Sequence, residues 1–277
     1  QILGHHKGVE VITMSDDLRQ AYIVAKNELV KYVRGKKIIL VGLILLLVWG
    51  LITALPILFN ESMTAEEHFY GYSQFAYMLV VIIVAMFASG AISSEYEERT
   101  ALVVFTRPIK KWPIFLGKLF AALMLGIAAM VLYYLLSILA VFAYTQAIPP
   151  NVLLSLAFAV LYVFAATGVA MMFSSLVKKS GTAAILTFFF LFLITGIIYG
   201  MLSAFEIEAW YILDYVYGHI ANAVINGTNV IDPGIVMMMG IPYFDQGYDP
   251  LKATGVAVVW GVVTLAISYL LMRRREI

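Results

Sequence analysis

The sequence contains no cysteine and few charged residues for its length. The absence of cysteine excludes a disulfide framework, a thiolate metal site and a cysteine nucleophile. Charged residues make up 13% of the chain and hydrophobic residues 62%, whereas average soluble domains carry roughly 25% charged residues. A soluble domain of this composition would lack the polar surface that keeps a protein in solution. The composition therefore predicts an integral membrane protein.

Motifs that carry chemistry are also missing. The chain has no Walker A pattern, because Gly117-Lys118 is followed by Leu119 and lacks the upstream glycine, so it has no phosphate cradle of its own. The histidines do not have the spacing of a metal site, and we expect His68 and His219 to be polar residues of loops. Neither HExxH nor GxSxG occurs. We expect no catalytic residue, no metal site and no cofactor bound by this chain.

Long uncharged segments are what the sequence does contain. A helix needs ~20 apolar residues to cross the hydrocarbon core of a bilayer, and consecutive prolines at 149–150 divide one run that is too long for a single crossing. The sequence therefore predicts an all-α integral membrane protein with six transmembrane helices. These spans are about residues 38–59, 69–94, 115–144, 152–176, 181–204 and 252–272, within a transmembrane domain at 38–272.

The spans are expected to hold no acid, base or histidine. Ion-coupled transporters and proton relays keep such groups inside the membrane, because coupling needs a side chain that titrates or binds the ion. Their expected absence argues against a secondary transporter and indicates that the source of energy lies on a partner.

Lys and Arg residues are distributed unevenly about these spans. With six crossings, both termini share a side with the loops at 95–114 and 177–181, and every Lys and Arg except Lys252 falls on that side. Loops rich in Lys and Arg stay in the cytoplasm. Both termini are therefore predicted to be cytoplasmic, and the large loop at 203–251 extracytoplasmic, with a short helix at 209–225 lying at or dipping into the membrane interface.

The segment before the first span has the pattern of an amphipathic helix. We interpret residues 1–14 as an extension or disordered leader and 15–37 as this helix, which leads into the first span. Its apolar residues share one face at helical spacing, namely Leu18, Tyr22, Ala25, Leu29 and Val33. A basic amphipathic helix before a span is typical of an interfacial helix on the inner leaflet.

The densest cluster of charge lies between the second and third spans. Glu95, Glu97, Glu98 and Thr100 are followed by Arg107-Pro108, Lys110, Lys111 and Gly117-Lys118. With the amphipathic helix, the six spans and the large outer loop, this pattern resembles the membrane subunits of type-2 ABC exporters. The resemblance covers Ser15 to Met272. Arg99 departs from the pattern, since such proteins often have glycine at that position.

The resemblance implies that 92–100 forms a coupling helix, which seats in a groove of a separate ATPase and continues the second span out of the membrane. The residues implied in this contact are Glu95, Glu97, Glu98, Arg99, Thr100, Arg107, Pro108 and Lys110. A second contact is implied for the amphipathic helix, at Lys26, Glu28, Lys31 and Arg34. The partner would bind ATP and Mg, in two copies.

The resemblance also implies a second copy of this chain, as a homodimer in the bilayer. We expect no nucleic-acid partner. Gly196 and Gly200 have the spacing that lets two helices approach closely, either within the chain or across such a dimer. The predicted function is an ATP-driven exporter permease for an amphiphilic or hydrophobic substrate, driven by an ATPase at the 95–111 loop. An ion-coupled secondary transporter, or a membrane scaffold or assembly factor without transport, stays open as an alternative.

Overall fold

The computed structural model describes residues 14–59, 62–97, 111–225 and 247–274. Within these ranges the chain is helical and has no strand. The helices are α1 (Met14–Arg34), α2 (Lys36–Phe59), α3 (Ala65–Phe87), α4 (Ser93–Glu97), α5 (Lys111–Thr145), α6 (Val152–Leu176), α7 (Ser180–Phe189), α8 (Thr195–Ala204), α9 (Leu213–Asn222) and α10 (Pro250–Arg274). A π-helical turn, Phe190–Ile194, joins α7 to α8.

Six helical segments are long and apolar enough to cross a membrane: α2, α3, α5, α6, the continuous α7–α8 segment and α10. The predicted all-α membrane fold with six spans is confirmed. The first helix also forms as the sequence predicts. It ends at Arg34, before the predicted bound at residue 37, and the backbone N–H of Gly35 then donates to the carbonyl of Tyr32 at 3.1 Å.

The apolar face of α1 points away from the protein core. α1 packs along α5 and buries Ala21, whereas Leu18 and Tyr22 are 57% and 69% exposed. A helix that lies on a bilayer surface exposes large apolar side chains to the lipid on one side. The exposed face of α1 fits this arrangement.

The second span begins and ends at identifiable signals. Thr64 caps α3 in a capping box, in which the Glu67 N–H donates to Thr64 Oγ1 at 3.2 Å and the Thr64 N–H donates to Glu67 Oε2 at 2.8 Å. The helix ends at Phe87, although the predicted span reached residue 94. Turns at 88–92 follow, where serine and glycine favour non-helical backbone. α4 is thus a separate helix, and the expectation that it continues the second span is wrong.

The fifth span is interrupted at its middle by the π-helical turn. Here the N–H of Thr195 donates to the carbonyl of Phe190, and the carbonyl of Leu191 accepts a hydrogen bond from the Tyr77 hydroxyl of α3 at 2.6 Å. Turns of this kind occur mostly as single insertions, frequently at functional sites. Tyr77 therefore fixes the position at which the span changes its helical geometry.

The core forms around α6, which packs against α10, α9, α5 and α3. The helix expected within 209–225 is present as α9, but it belongs to this core. Its residues Leu213, Val216 and Ile220 are fully buried. Residues 226–246 of the same predicted loop lie outside the described residues.

The tightest helix contact joins α6 to α10 at Gly168 and Gly261. A Cβ atom at Gly168 would lie 2.9 Å from the Gly261 carbonyl oxygen, 3.3 Å from the Gly261 Cα, and against the hydroxyl of Thr264. We expect Gly168→Ala to lower the free energy of unfolding by about 1–3 kcal/mol, because two backbones must separate to admit the methyl group. Thermal unfolding of the detergent-purified protein measures this.

Gly255→Ala on α10 is the matched control. No atom lies within 4 Å of the Cβ it would add, so the better helix propensity of alanine should leave stability unchanged or raise it by up to about 1 kcal/mol. Equal losses in both variants would mean that the contact between α6 and α10 is looser than the structure has it.

Candidate functional site

The short helix α4 is held in place at its first residues by a serine of α6. The backbone N–H groups of Ile92 and Ser93 both donate to Ser174 Oγ, at 2.9 and 3.0 Å. The first N–H groups of a helix have no partner within the helix. Ser174 supplies that partner and fixes the start of α4 on the core of the bundle.

A buried triad of charges joins α4 to two other helices. Lys118 Nζ of α5 lies 2.5 Å from Glu28 Oε1 of α1 and 2.7 Å from Glu95 Oε1 of α4. The Lys118 side chain is 3% exposed, and those of Glu28 and Glu95 are 14% and 13% exposed. Two charge-assisted bonds in a site with little water form a firm link. We name Glu28, Lys118 and Glu95 the charge triad.

Gly117 allows the helices of the charge triad to come this close. A Cβ atom at Gly117 would lie 2.6 Å from the Ala21 carbonyl oxygen and 2.7 Å from the Val24 Cβ on α1. No larger residue fits at that distance. The Gly-Lys pair therefore has two structural roles, since the glycine lets α1 approach and the lysine binds it there.

Glu97 connects α4 to the beginning of the fifth span. Its Oε2 accepts from the backbone N–H of Ser180 at 2.9 Å and from the Ser180 hydroxyl at 2.5 Å. These two bonds, and more weakly the charges of Lys179 and Lys37, hold the pKa of the Glu97 carboxyl below its ordinary value. Glu97 thus acts as an acidic cap for α7.

A crevice of about 460 Å³ lies among α1, the start of α2, the end of α3, α4 and the start of α7. Tyr32 and Lys37 brace its wall, because the Tyr32 hydroxyl donates to the Phe87 carbonyl at 2.9 Å and Lys37 Nζ donates to the Met86 carbonyl at 3.4 Å. Through the charge triad and Glu97, α4 contacts α1, α5 and the start of α7.

The structure brings some of the predicted site residues together. Glu95, Glu97 and Glu28 take part in the contacts above, while Lys26, Lys31 and Arg34 lie exposed on α1. The remaining predicted contacts lie outside the described residues, namely Glu98, Arg99, Thr100, Arg107, Pro108 and Lys110. The contact of all these residues with an ATPase stays a prediction.

The two glycines of the fifth span differ in their surroundings. A Cβ at Gly196 would lie 3.5 Å from Asp214 Oδ1 of the same chain, whereas no atom lies within 4 Å of a Cβ at Gly200. Gly196 thus adjoins a neighbouring element of its own chain. Gly200 keeps the open surface that a contact with a second copy would need, and that contact stays a prediction.

Sequence reasoning missed several buried polar groups. The expectation that the spans hold no ionisable group is wrong, because Lys118 lies in α5 and His68 lies in α3. His68 and His219 were expected in loops, yet each is 2% exposed. The signal available was the isolation of Lys118 at the start of a long uncharged run, since a lone cation there needs an acidic partner from another segment.

Asp214 of α9 is the most unexpected of these groups. It is 4% exposed, and among the described residues its Oδ2 has no hydrogen-bond partner. Burial raises the pKa of the Asp214 carboxyl to about 6, although the Thr195 hydroxyl beside it favours the charged form. The charge of Asp214 acts on the nearby hydroxyl groups of Tyr77, Tyr162 and Tyr217. This second polar cluster lies next to the π-helical turn.

Two comparisons with known proteins bear on this arrangement. A family model described as ABC-2 family transporter protein matches residues 22–277, from α1 to the end of the chain. The chain is also similar to the uncharacterized membrane protein YdbK of Bacillus subtilis (strain 168), with 29% identity over 109 residues. That match covers 38% of this chain and 44% of YdbK, so the chain spans less than half the length of this relative.

Proposed function

Because the chain belongs to the ABC-2 family of transporter proteins, we propose that it is the permease subunit of an ATP-driven exporter of amphiphilic or hydrophobic substrates. Members of this family are membrane components and are not themselves catalytic. A separate ATPase would therefore hydrolyse ATP with Mg, and it would bind at the 95–111 loop. The observation that carries this proposal is the charge triad, since it ties the short helix of that loop to α1 and α5.

The proposal sets an orientation. Basic residues gather at the end of the bundle where α4 lies, at Lys111, Lys179 and Arg273 among others, whereas Lys252 lies at the opposite end. Basic ends of spans stay in the cytoplasm. We therefore propose that both termini and α4 are cytoplasmic, where an ATPase can reach them.

The contacts of α4 indicate which elements would move if the ATPase displaced this helix. A displacement of Glu95 pulls on Lys118, which moves the start of α5 and, through Glu28, moves α1. A displacement of Glu97 acts on Ser180, at the first residue of the fifth span. A packed helix end moves as a unit because protein interiors resist compression. One contact with the ATPase would thus reach three elements of the membrane domain.

The complete transporter would contain two copies of this chain and two copies of the ATPase, with the substrate path between the two sets of spans. A path lined by Phe, Met, Tyr and small residues favours an amphiphile over a bare ion, because it offers apolar contact and few charges.

The proposal is tested by separating association with the ATPase from transmission. The chain is purified from its native membranes with whatever ATPase accompanies it, and both copurification and ATPase activity are measured. Glu98→Ala should reduce copurification. Glu95→Gln should leave copurification unchanged. The ATPase activity that depends on the permease should fall about tenfold, because the bond between Glu95 and Lys118 is weakened.

Glu66→Gln is the matched control, because Glu66 is an exposed acid at the other end of α3 and should change neither quantity. Absence of any copurifying ATPase would contradict the proposal. So would a Glu95→Gln variant with full coupling, since the charge triad would then carry no signal.

One observation favours a second candidate function, an ion-coupled carrier. Asp214 is a buried carboxyl with an oxygen that no described residue pairs, and such groups mark ion and proton paths in transporters. Transport that collapses with the ion gradient and survives ATP depletion would support the carrier. Transport that stops with ATP depletion supports the ABC permease.

A further inference from the structure

A groove of about 410 Å³ runs between α1 and the first part of α5. Its lining is almost entirely apolar, with Leu18, Tyr22 and Leu29 among the residues from α1 and Leu116, Phe120 and Met124 from α5. Lys26 is the one charged side chain in the lining. The volume lies in the range of about 300–1,000 Å³ that is usual for ligand sites.

The walls of this groove are large apolar side chains that the protein leaves uncovered. Tyr22 is 69% exposed, Phe120 54% and Met124 58%. On helices that lie in or on a bilayer, exposed apolar side chains around a concavity offer contact to lipid hydrocarbon. Since α5 crosses the membrane and α1 has the character of an interfacial helix, the groove opens toward lipid.

The direction of the groove matches that of a lipid chain. Leu116 and Met124 are eight positions apart on α5, so the groove follows that helix for about 12 Å from its charged end. A chain lying along α5 enters the hydrocarbon core, while its polar end stays beside α1. A phospholipid has this orientation in a bilayer.

The rim of the groove is cationic. Arg19 and Lys26 are both exposed and lie seven residues apart, which is about two turns, so they project from the same side of α1. Of the nearby acids, Glu28 is bound to Lys118 and Asp17 is buried, and no carboxylate belongs to the lining. Clusters of basic residues beside a span attract anionic lipid headgroups.

We propose that this groove binds an anionic phospholipid, with one acyl chain between α1 and α5 and the headgroup phosphate on Lys26 and Arg19. The two walls are the helices that the Glu28–Lys118 pair joins. A bound chain therefore fills the space beside that pair and holds α1 against α5. The site does not rest on the proposed function, because it needs neither an ATPase nor transport.

Native mass spectrometry of the full detergent-purified chain tests the proposal, with equal amounts of dioleoylphosphatidylglycerol and dioleoylphosphatidylcholine added. We expect phosphatidylglycerol to be retained in preference to phosphatidylcholine. Lys26→Gln should reduce this preference about fivefold, as the loss of one juxtamembrane cation predicts. Lys252→Gln, at an exposed lysine of the opposite end, should leave it unchanged.

A second variant tests the groove itself. Ala25→Phe places a ring in the groove and should abolish retention of both lipids, while thermal unfolding shows that the variant is folded. Three outcomes would overturn the proposal: equal retention of the two lipids by the unmodified chain, an unchanged preference in Lys26→Gln, or lipid still bound to Ala25→Phe. Retention of a second copy of the chain, displaced by Ala25→Phe, would instead make this face a dimer contact and overturn it as well.

Discussion

Lys118→Met is expected to lower the free energy of unfolding by about 3–5 kcal/mol, the cost typical of removing one partner from a buried ion pair. The substitution leaves Glu28 and Glu95 facing each other without the cation that compensates them. Both carboxylates are largely buried, so water cannot replace Lys118. Methionine fills the same volume, which keeps the loss from being one of packing.

Thermal unfolding in detergent, followed by tryptophan fluorescence, measures this loss. The triple variant Glu28→Gln, Lys118→Met and Glu95→Gln should recover most of the stability, because replacing a whole buried ionic group with neutral residues is often neutral or favourable. Lys252→Met is the surface control. Its pair with Asp249 spans 3.6 Å between exposed side chains and should contribute less than about 1 kcal/mol.

Variants of the charge triad also separate its effect on stability from its effect on coupling to the ATPase. If the triple variant is stable yet uncoupled from its ATPase, then the charges serve transmission. A Lys118→Met variant as stable as the unmodified chain would contradict the burial and the distances described for the charge triad.

Asp214→Asn is expected to raise the stability of the protein at pH 7 by up to about 3 kcal/mol. The pKa of Asp214 is about 6 in the folded protein, against an ordinary value of 3.8. A difference of about two pKa units corresponds to about 3 kcal/mol. At pH 7 the folded protein bears this cost, because a charged carboxylate is held in a site that excludes water. Asparagine keeps the shape and removes the charge.

The pH dependence has a definite sign. Between about pH 4 and 6 the folded protein binds a proton at Asp214 that the unfolded chain has released, so stability falls as pH rises through this window. Above pH 6 the cost is complete and constant. Unfolding temperatures measured from pH 4 to 8 should show this fall in the unmodified chain and show it reduced in Asp214→Asn.

Asp249→Asn is the opposing control. The N–H groups of Lys252 and Leu251 donate to Asp249 at the start of α10, and these bonds lower the pKa of its carboxyl. The stabilisation of the folded protein by charged Asp249 is fully present above the ordinary pKa of an aspartate and is lost as pH falls. Asp249→Asn should therefore destabilise the protein at neutral pH. Equal effects of the two substitutions would contradict the burial of Asp214.

The parts of this protein that the sequence predicts are those that follow from composition along the chain. Uncharged runs of span length, divided by consecutive prolines, are sufficient to predict six transmembrane helices. The spacing of Leu18, Tyr22 and Leu29 is sufficient to predict an amphipathic α1. The residues at which helices end are harder to predict from the sequence than the helices themselves. Nothing in the charge pattern indicated that α3 stops at Phe87, because local backbone preferences at serine and glycine decide that.

The sequence by itself determined the membrane class, the number of spans and the likeness to transporter permeases, since hydrophobic runs and short motifs are local properties of the chain. Only the tertiary structure decided which charges meet. Lys118 lies 90 residues from Glu28 and 23 residues from Glu95 along the sequence. From the sequence alone Asp214 is predicted to lie in a loop, whereas the structure places it on α9, which is part of the core. Burial depends on packing among distant segments, so the chemistry of a charged residue follows from the fold and not from its neighbours in sequence.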